Sequence, residues 1–240
     1  MINTFRSNTS NSATERLIDE IGKNNVPGSR HLVICPSNYG FTLEKLIHER
    51  LGLAGSFNID ITSFSRYSYK KLQFVKTPIG TEGSVLLVKK VALEKKKELK
   101  HYFRVVENIN FAVRMYNTLK LMKLNGYNAN IIRAKAANMT GATGDKLFDI
   151  AIILEAFEKE IFDKYTDTAT RLEMLKKQVE SDEDIKKTHV YFTGFSDFSV
   201  LELAVFEAFV RNALSVNISM VSGKGAPNEG YFPTRIANQI

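Results

Sequence analysis

The stretch Asp60-Ile-Thr-Ser-Phe-Ser-Arg-Tyr-Ser-Tyr-Lys-Lys-Leu72 gathers three kinds of binding group at a predicted strand-to-helix junction: the hydroxyls of Thr62, Ser63 and Ser65, the rings of Phe64, Tyr67 and Tyr69, and the guanidinium of Arg66. Aromatic rings stack on exposed bases, and arginine pairs with phosphate or reads guanine with two hydrogen bonds, so the set suits a single nucleic-acid strand. Core packing is the competing use of Phe64 and one of the tyrosines. A second junction, Pro36-Ser-Asn-Tyr-Gly-Phe41, leaves a predicted strand and enters a helix, where open α/β sheets hold ligands. There Asn38 can bond an adenine edge or cap the helix. Hydrolytic metal chemistry finds no support, because His31, His48, His101 and His189 lack metal-ligand spacing and neither HExxH nor HxE with PCxxC occurs. Asp145 and Asp197 are single acids without a recognisable partner, so no paired-carboxylate mechanism follows.

The segment from His189 to Glu207 resembles the Walker B strand of superfamily 1 helicases and the helix after it. In that pattern an apolar strand ends in Asp-Glu, which hold Mg²⁺ and position the attacking water. Here the strand His189-Val-Tyr-Phe192 ends in Thr193-Gly194, and Phe195-Ser-Asp197 stands in the place of Phe-Gln-Asp. A neutral pair cannot bind Mg²⁺ as two carboxylates do. A phosphate loop of the form GxxxxGKT should precede the first helix, but Ser7 to Thr14 reads Ser-Asn-Thr-Ser-Asn-Ser-Ala-Thr. Ser12 takes the glycine position and Ala13 the lysine position; Thr14 persists, as an expected N-cap. Ser12, Ala13, Thr14, Thr193 and Gly194 thus outline a degenerate nucleotide site, although an ordinary Ser/Asn-rich N-terminus reads the same way.

The elements that must position these groups follow from periodicity. Predicted helices at Thr14–Lys23, Phe41–Leu51 and Ser65–Phe74 alternate with strands at His31–Cys35 and Ile59–Thr62, after a first strand expected to be very short. Thr77-Pro78-Ile79-Gly80 reads as a turn. From Thr81 to about Lys187 the pattern is helical without a convincing strand. A strand at His189–Phe192, a helix at Val200–Asn212 and a strand at Ser215–Val221 resume the sheet, Ser222 to Gly225 end it, and Tyr231–Ile240 reads as a helix cut short. The chain reads as the start of a longer protein.

With 240 residues, 44% of them hydrophobic, the chain can build a sizeable core. A single cysteine, Cys35, excludes a disulfide framework and points to a reducing cytoplasm. No stretch approaches the roughly 18 apolar residues of a membrane span. A net charge of +7 favours an anionic partner. Its densest run, Lys89 to Lys123, also fits a solvated helix face.

Taken in order, Val33 to Phe41, Ile61 to Leu72 and Val190 to Phe198 resemble the N-terminal region of AddB/RexB, the second of the two proteins that make up the bacterial ATP-dependent helicase/nuclease. Phe148 to Phe157 and Val190 to Met220 follow the same pattern. The resemblance implies an α/β fold of the P-loop NTPase, RecA-like type: a parallel-sheet core at 1–80 and 188–240, interrupted by an all-helical insertion at 81–187. It implies a protein that scans a single DNA strand for Chi during double-strand break repair and homologous recombination, while an AddA/RexA partner drives unwinding. The scanning positions fall on Asn38, Gly40, Phe64, Arg66, Tyr69 and Phe195. The family's iron-sulfur cluster and Mg²⁺ belong to a downstream nuclease domain, so no cofactor is expected in this stretch. A divergent but working NTPase, and a module that only docks the partner motor, are the alternatives.

Overall fold

The computed structural model describes residues 2–221. Along the chain these form β1 (Ile2–Ser7), α1 (Ser10–Asn24), β2 (Arg30–Ile34), α2 (Gly40–Leu51), β3 (Ile59–Thr62) and α3 (Phe64–Lys71). Then come β4 (Thr77–Pro78), α4 (Thr81–Glu94), α5 (Ile109–Leu124), α6 (Ala129–Ala137), α7 (Gly141–Phe162) and β5 (Tyr165–Thr166). Last are α8 (Thr168–Ser181), β6 (Thr188–Phe192), α9 (Val200–Asn212) and β7 (Ser215–Val221). Two compact units result: one holds the residues up to Leu72 and from Leu172 onward, the other is Gln73–Arg171.

The first unit is a five-stranded sheet in the order β1-β7-β6-β2-β3, parallel at every pairing. Its central strands are apolar runs, as parallel strands covered on both faces must be. Alternation along β6 sends neighbouring rings to opposite faces. Tyr191 joins Leu17, Ile18 and Ile21 of α1, Val33, and Leu43 and Ile47 of α2 in one core layer. Phe192 packs instead against Phe64 of α3 and Phe206 and Phe209 of α9. The α/β fold inferred from sequence, with its parallel sheet, is therefore the observed one and is consistent with a RecA-like core.

Two local expectations change. β1, expected to be very short, has six residues and pairs along its whole length with β7, from Ile2 opposite Val216 to Ser7 opposite Val221. Its Ser, Asn and Thr content hid it, because an edge strand with one face towards water needs few apolar residues. α3 runs from Phe64 to Lys71 and stops short of Phe74. Residues 222–225 and 231–240 lie outside the described residues.

The second unit buries Val88, Leu119, Ile153, Leu154 and Phe157 from α4, α5 and α7 in its own core. Near the start of α7, a Cβ on Gly144 would lie 2.4 Å from the Met139 carbonyl oxygen, so only glycine allows this approach. Asp149, fully buried in α7, accepts hydrogen bonds from the backbone amides of Lys100, His101 and Tyr102 at 2.7, 2.8 and 2.8 Å. One carboxylate thereby orders the irregular connection between α4 and α5. The region is not wholly helical: β4 and β5 pair in parallel, Thr77 with Tyr165 and Pro78 with Thr166. Proline gives no amide to this ladder, and Ile79 supplies the next bond, to the Thr166 carbonyl at 3.1 Å. The division between units falls at Leu72/Gln73 and Arg171/Leu172, so the first unit stops before the expected limit of 80 and resumes before the expected 188, taking in most of α8. Leu172, Leu175 and Val179, on one face of α8, are buried.

Candidate functional site

The parallel strands β1, β2, β3 and β6 deliver their following loops to one edge, the edge at which open α/β sheets bind ligands, and β7 ends at the same edge. Two bonds carry the ladder past the strand ends and hold these loops together: the Cys35 amide donates to the Thr62 carbonyl at 2.9 Å, and the Thr193 amide to the Ile34 carbonyl at 3.1 Å.

At this edge Thr14, Thr193 and Ser219 are all buried. The hydroxyls of Thr14 and Thr193 hydrogen-bond at 2.8 Å, and those of Thr193 and Ser219 at 2.6 Å. Each hydroxyl can donate once and accept, so the chain satisfies its buried oxygens without charge. Between β1 and α1 only Asn8 and Thr9 intervene. Thr9, not Thr14, caps α1, its hydroxyl accepting from the Ser12 amide at 3.3 Å. Ala13 is buried, and Thr14 lies inside the helix. The cap fell earlier than expected because the helix extends through the polar Ser10-Asn11-Ser12.

Gly194, in the place of the second acid, has φ +79°. A Cβ there would lie 2.8 and 3.2 Å from Cδ1 and Cε1 of Tyr39, and 3.3 Å from Cδ of Pro36. A side chain at 194 therefore meets both a disfavoured backbone conformation and the Tyr39 ring. Sequence reasoning missed Tyr39, Pro36 and Ser219 as parts of this arrangement. Nothing local in the apolar strand around Ser219 marks it, since its role depends on pairing between elements far apart in the chain.

The proposed strand-binding residues divide by exposure. Asn38 is exposed and does not cap α2, whose N-cap position is Tyr39 without a side-chain cap bond. Gly40 opens α2. Thr62 and Ser63 are buried and position their neighbours: the Ser63 hydroxyl caps α3 by accepting from the Arg66 amide at 3.3 Å. Ser65, Arg66 and Tyr69 are exposed on the outer face of α3. Among the described residues no carboxylate lies within ion-pair distance of Arg66. Phe195 is half-buried, 5.6 Å from Phe64 between ring centroids.

Phe64 and Phe195 are thus brought together from distant segments, but Phe64 is not the open stacking ring that was expected. It is 5% exposed and packs on Phe192, Phe195 and Phe198 at 6.0, 5.6 and 6.0 Å. Burying an aromatic ring against others outweighs leaving it in water. Cys35, also buried here, has its thiol pushed up to about 11 by burial, with the Arg66 charge opposing, so it stays a neutral hydrophobe whose Sγ donates to the Thr62 carbonyl.

A family model described as ADDB, N-terminal matches residues 7–231. The chain belongs to this family. Relatives of this ADDB N-terminal chain include the B subunit of the ATP-dependent helicase/deoxyribonuclease of Listeria monocytogenes serotype 4a (strain HCC23), 28% identical over 86% of this chain and 18% of the relative. The proteins of the same name from Staphylococcus saprophyticus and Bacillus subtilis (strain 168) are 24% and 26% identical, over 92% and 82% of this chain and 20% and 18% of theirs. The chain therefore spans about a fifth of the length of these curated relatives. Among the described residues no group of His, Cys, Asp or Glu is placed to hold a metal ion, and no helix is long and apolar enough to cross a membrane.

Proposed function

We propose that this chain is the helicase-like N-terminal module of an AddB-type helicase/deoxyribonuclease protein, that it has lost nucleotide chemistry, and that it binds single-stranded DNA at the C-terminal edge of its sheet. The observation that carries the first part is the neutral hydroxyl chain through Thr14, Thr193 and Ser219, with Tyr39 standing where a side chain at 194 would have to go. A working motor needs charge at these positions for Mg²⁺ and phosphate. Only the two residues Asn8 and Thr9 lie between β1 and α1, and Thr9 already holds the Ser12 amide, so the turn is shorter than a GxxxxGKT phosphate loop. The second part rests on the exposure of Asn38, Arg66 and Tyr69 and the partial exposure of Phe195, a cation and rings on the segments that follow β2, β3 and β6. The wider role we propose with it is double-strand break repair and recombination, with Chi scanning and an AddA/RexA-type partner in the cytoplasm; membership of the family supports the repair part of this reading.

Fluorescence anisotropy of a labelled single strand at several salt concentrations tests the reading. Tyr69→Ala should weaken binding by about 1–3 kcal/mol, and Arg66→Ala should also lower the salt dependence. Mg²⁺-dependent ATP turnover above a mock purification would overturn the first part. Binding that is indifferent to both substitutions would overturn the second.

A further inference from the structure

In the second unit a cavity of about 500 Å³ lies between the irregular connection after α4 and one face of α5, a size within the range of small-molecule sites. Helical spacing puts Asn110 and Arg114 on one row of α5 and Phe111 and Met115 on the next, so one face supplies an amide, a guanidinium and a ring together. Tyr102, on the connection, lines the cavity as well. Its ring centroid stands 5.3 Å from that of Phe111, and both residues are only half-buried, which leaves part of each ring open. This wall is ordered from within, because Asp149 holds the amides of Lys100, His101 and Tyr102.

The charge here has one sign. Among the described residues that line the cavity, Arg114 is the only charged one. From Lys95 to Thr118 the sequence places six basic residues against two acids, and both acids are taken, Glu98 by Lys95 at 2.8 Å and Glu107 by Lys96 at 2.7 Å. Among the described residues no carboxylate lies within ion-pair distance of Arg114, nor of Lys97 and Arg104, which are exposed on the connection. Such a site is complementary to an anion. The Asn110 side chain carries both a donor and an acceptor, as pairing with a base edge requires, and an open ring beside a guanidinium suits a base joined to phosphate. Cations beyond the cavity suit the phosphates on either side of that nucleotide.

We propose that this cavity holds one nucleotide of a single nucleic-acid strand, with its base against Tyr102 and Phe111 and its phosphate on Arg114, while Lys97 and Arg104 attract the flanking phosphates. The site lies wholly within the second unit and does not rest on Arg66, Tyr69 or Phe195.

Backbone amide NMR of the intact chain, titrated in turn with a deoxyadenylate trinucleotide, deoxyadenosine monophosphate, deoxyadenosine and N-acetyl-phenylalanine, tests this. The trinucleotide should shift the signals of Tyr102, Asn110 and Phe111 saturably and bind more tightly than the monophosphate. Arg114→Ala removes an exposed side chain and should weaken the trinucleotide and the monophosphate about 10-fold, while deoxyadenosine, which has no phosphate, stays within about 2-fold. Arg66→Ala should leave these signals titrating as in the parent, which separates this site from the one at the sheet edge. No saturable shift with the trinucleotide would overturn the proposal, as would an equal loss of deoxyadenosine and monophosphate in Arg114→Ala. A monophosphate that binds more tightly than the trinucleotide would make this a site for free nucleotide, and N-acetyl-phenylalanine saturating the same signals as tightly would make it one for aromatic acids; either result overturns the strand.

Discussion

Placing a methyl group on Gly194 should carry a cost that can be divided into two parts. The backbone at φ +79° penalises an L-residue by about 1–2 kcal/mol. The new Cβ would also stand 2.8 Å from Cδ1 of Tyr39, and overpacking of this kind typically costs about 1–3 kcal/mol. Gly194→Ala should therefore lose about 2–5 kcal/mol in urea denaturation, the sum of those two ranges. Making the same change in a Tyr39→Ala background removes the wall but not the φ, so the loss should fall towards about 1–2 kcal/mol, and the difference is the coupling read by the double-mutant cycle. A Gly194→Ala protein within about 0.5 kcal/mol of the parent would refute the reasoning, because that is the range of a surface change without consequence. An undiminished loss in the Tyr39→Ala background would refute the part assigned to contact. Restoring acids as Thr193→Asp with Gly194→Glu should accordingly yield a less stable protein and no ATPase.

Asp149→Ala should destabilise the second unit by about 3 kcal/mol or more, since three amides lose a charged acceptor, whereas Asp149→Asn keeps one oxygen and should lose less; thermal unfolding checks both. Phe64→Ala should act on stability, by about 3–5 kcal/mol, as a ring lost from the core rather than as a lost base contact, which denaturation and strand binding measured together will distinguish. His31, buried against the stacked ring of His189 and lowered to about 4 by burial and then by that neighbour's charge, is neutral in the fold and takes up its proton more readily when unfolded. Its contribution is complete above pH 6.5 and is lost as pH falls from 6.5 towards 4, at most on the order of 3 kcal/mol, so His31→Phe should flatten the stability profile across that window.

Much of the fold was legible because its signals are local. Apolar runs at residues 31–34, 59–62, 189–192 and 215–221 are strands, and the helices between them carry regular apolar spacing. Both edge-delivered segments, around Phe64 and Phe195, were also found from their flanking patterns. Exposure was not legible. Phe64 and Tyr69 stand in one short helix, and which ring faces the sheet depends on where Ser63 caps it and on rings arriving from β6 and the segment before α9. The length of β1 and the role of Ser219 were hidden for a related reason: the partner that gives each its meaning lies about 200 residues or more away, as with Ile2 opposite Val216 and Ser219 bonded through Thr193 to Thr14.

The pairing of β1 with β7 also sets an order of events at the ribosome. Residues Gln73–Arg171 are contiguous and have their own core, so they can be completed while the chain is still growing. The sheet cannot. At synthesis rates of about 5–20 residues per second, roughly 10–40 s separate Ile2 from its partner Val216. Throughout that interval β1 has α1 behind it but no neighbouring strand, and β2 waits beside β3 for β6. The polar alternation of Asn3, Thr4, Arg6 and Ser7 suits such a wait, because a strand held open for tens of seconds is safest when half of it prefers water.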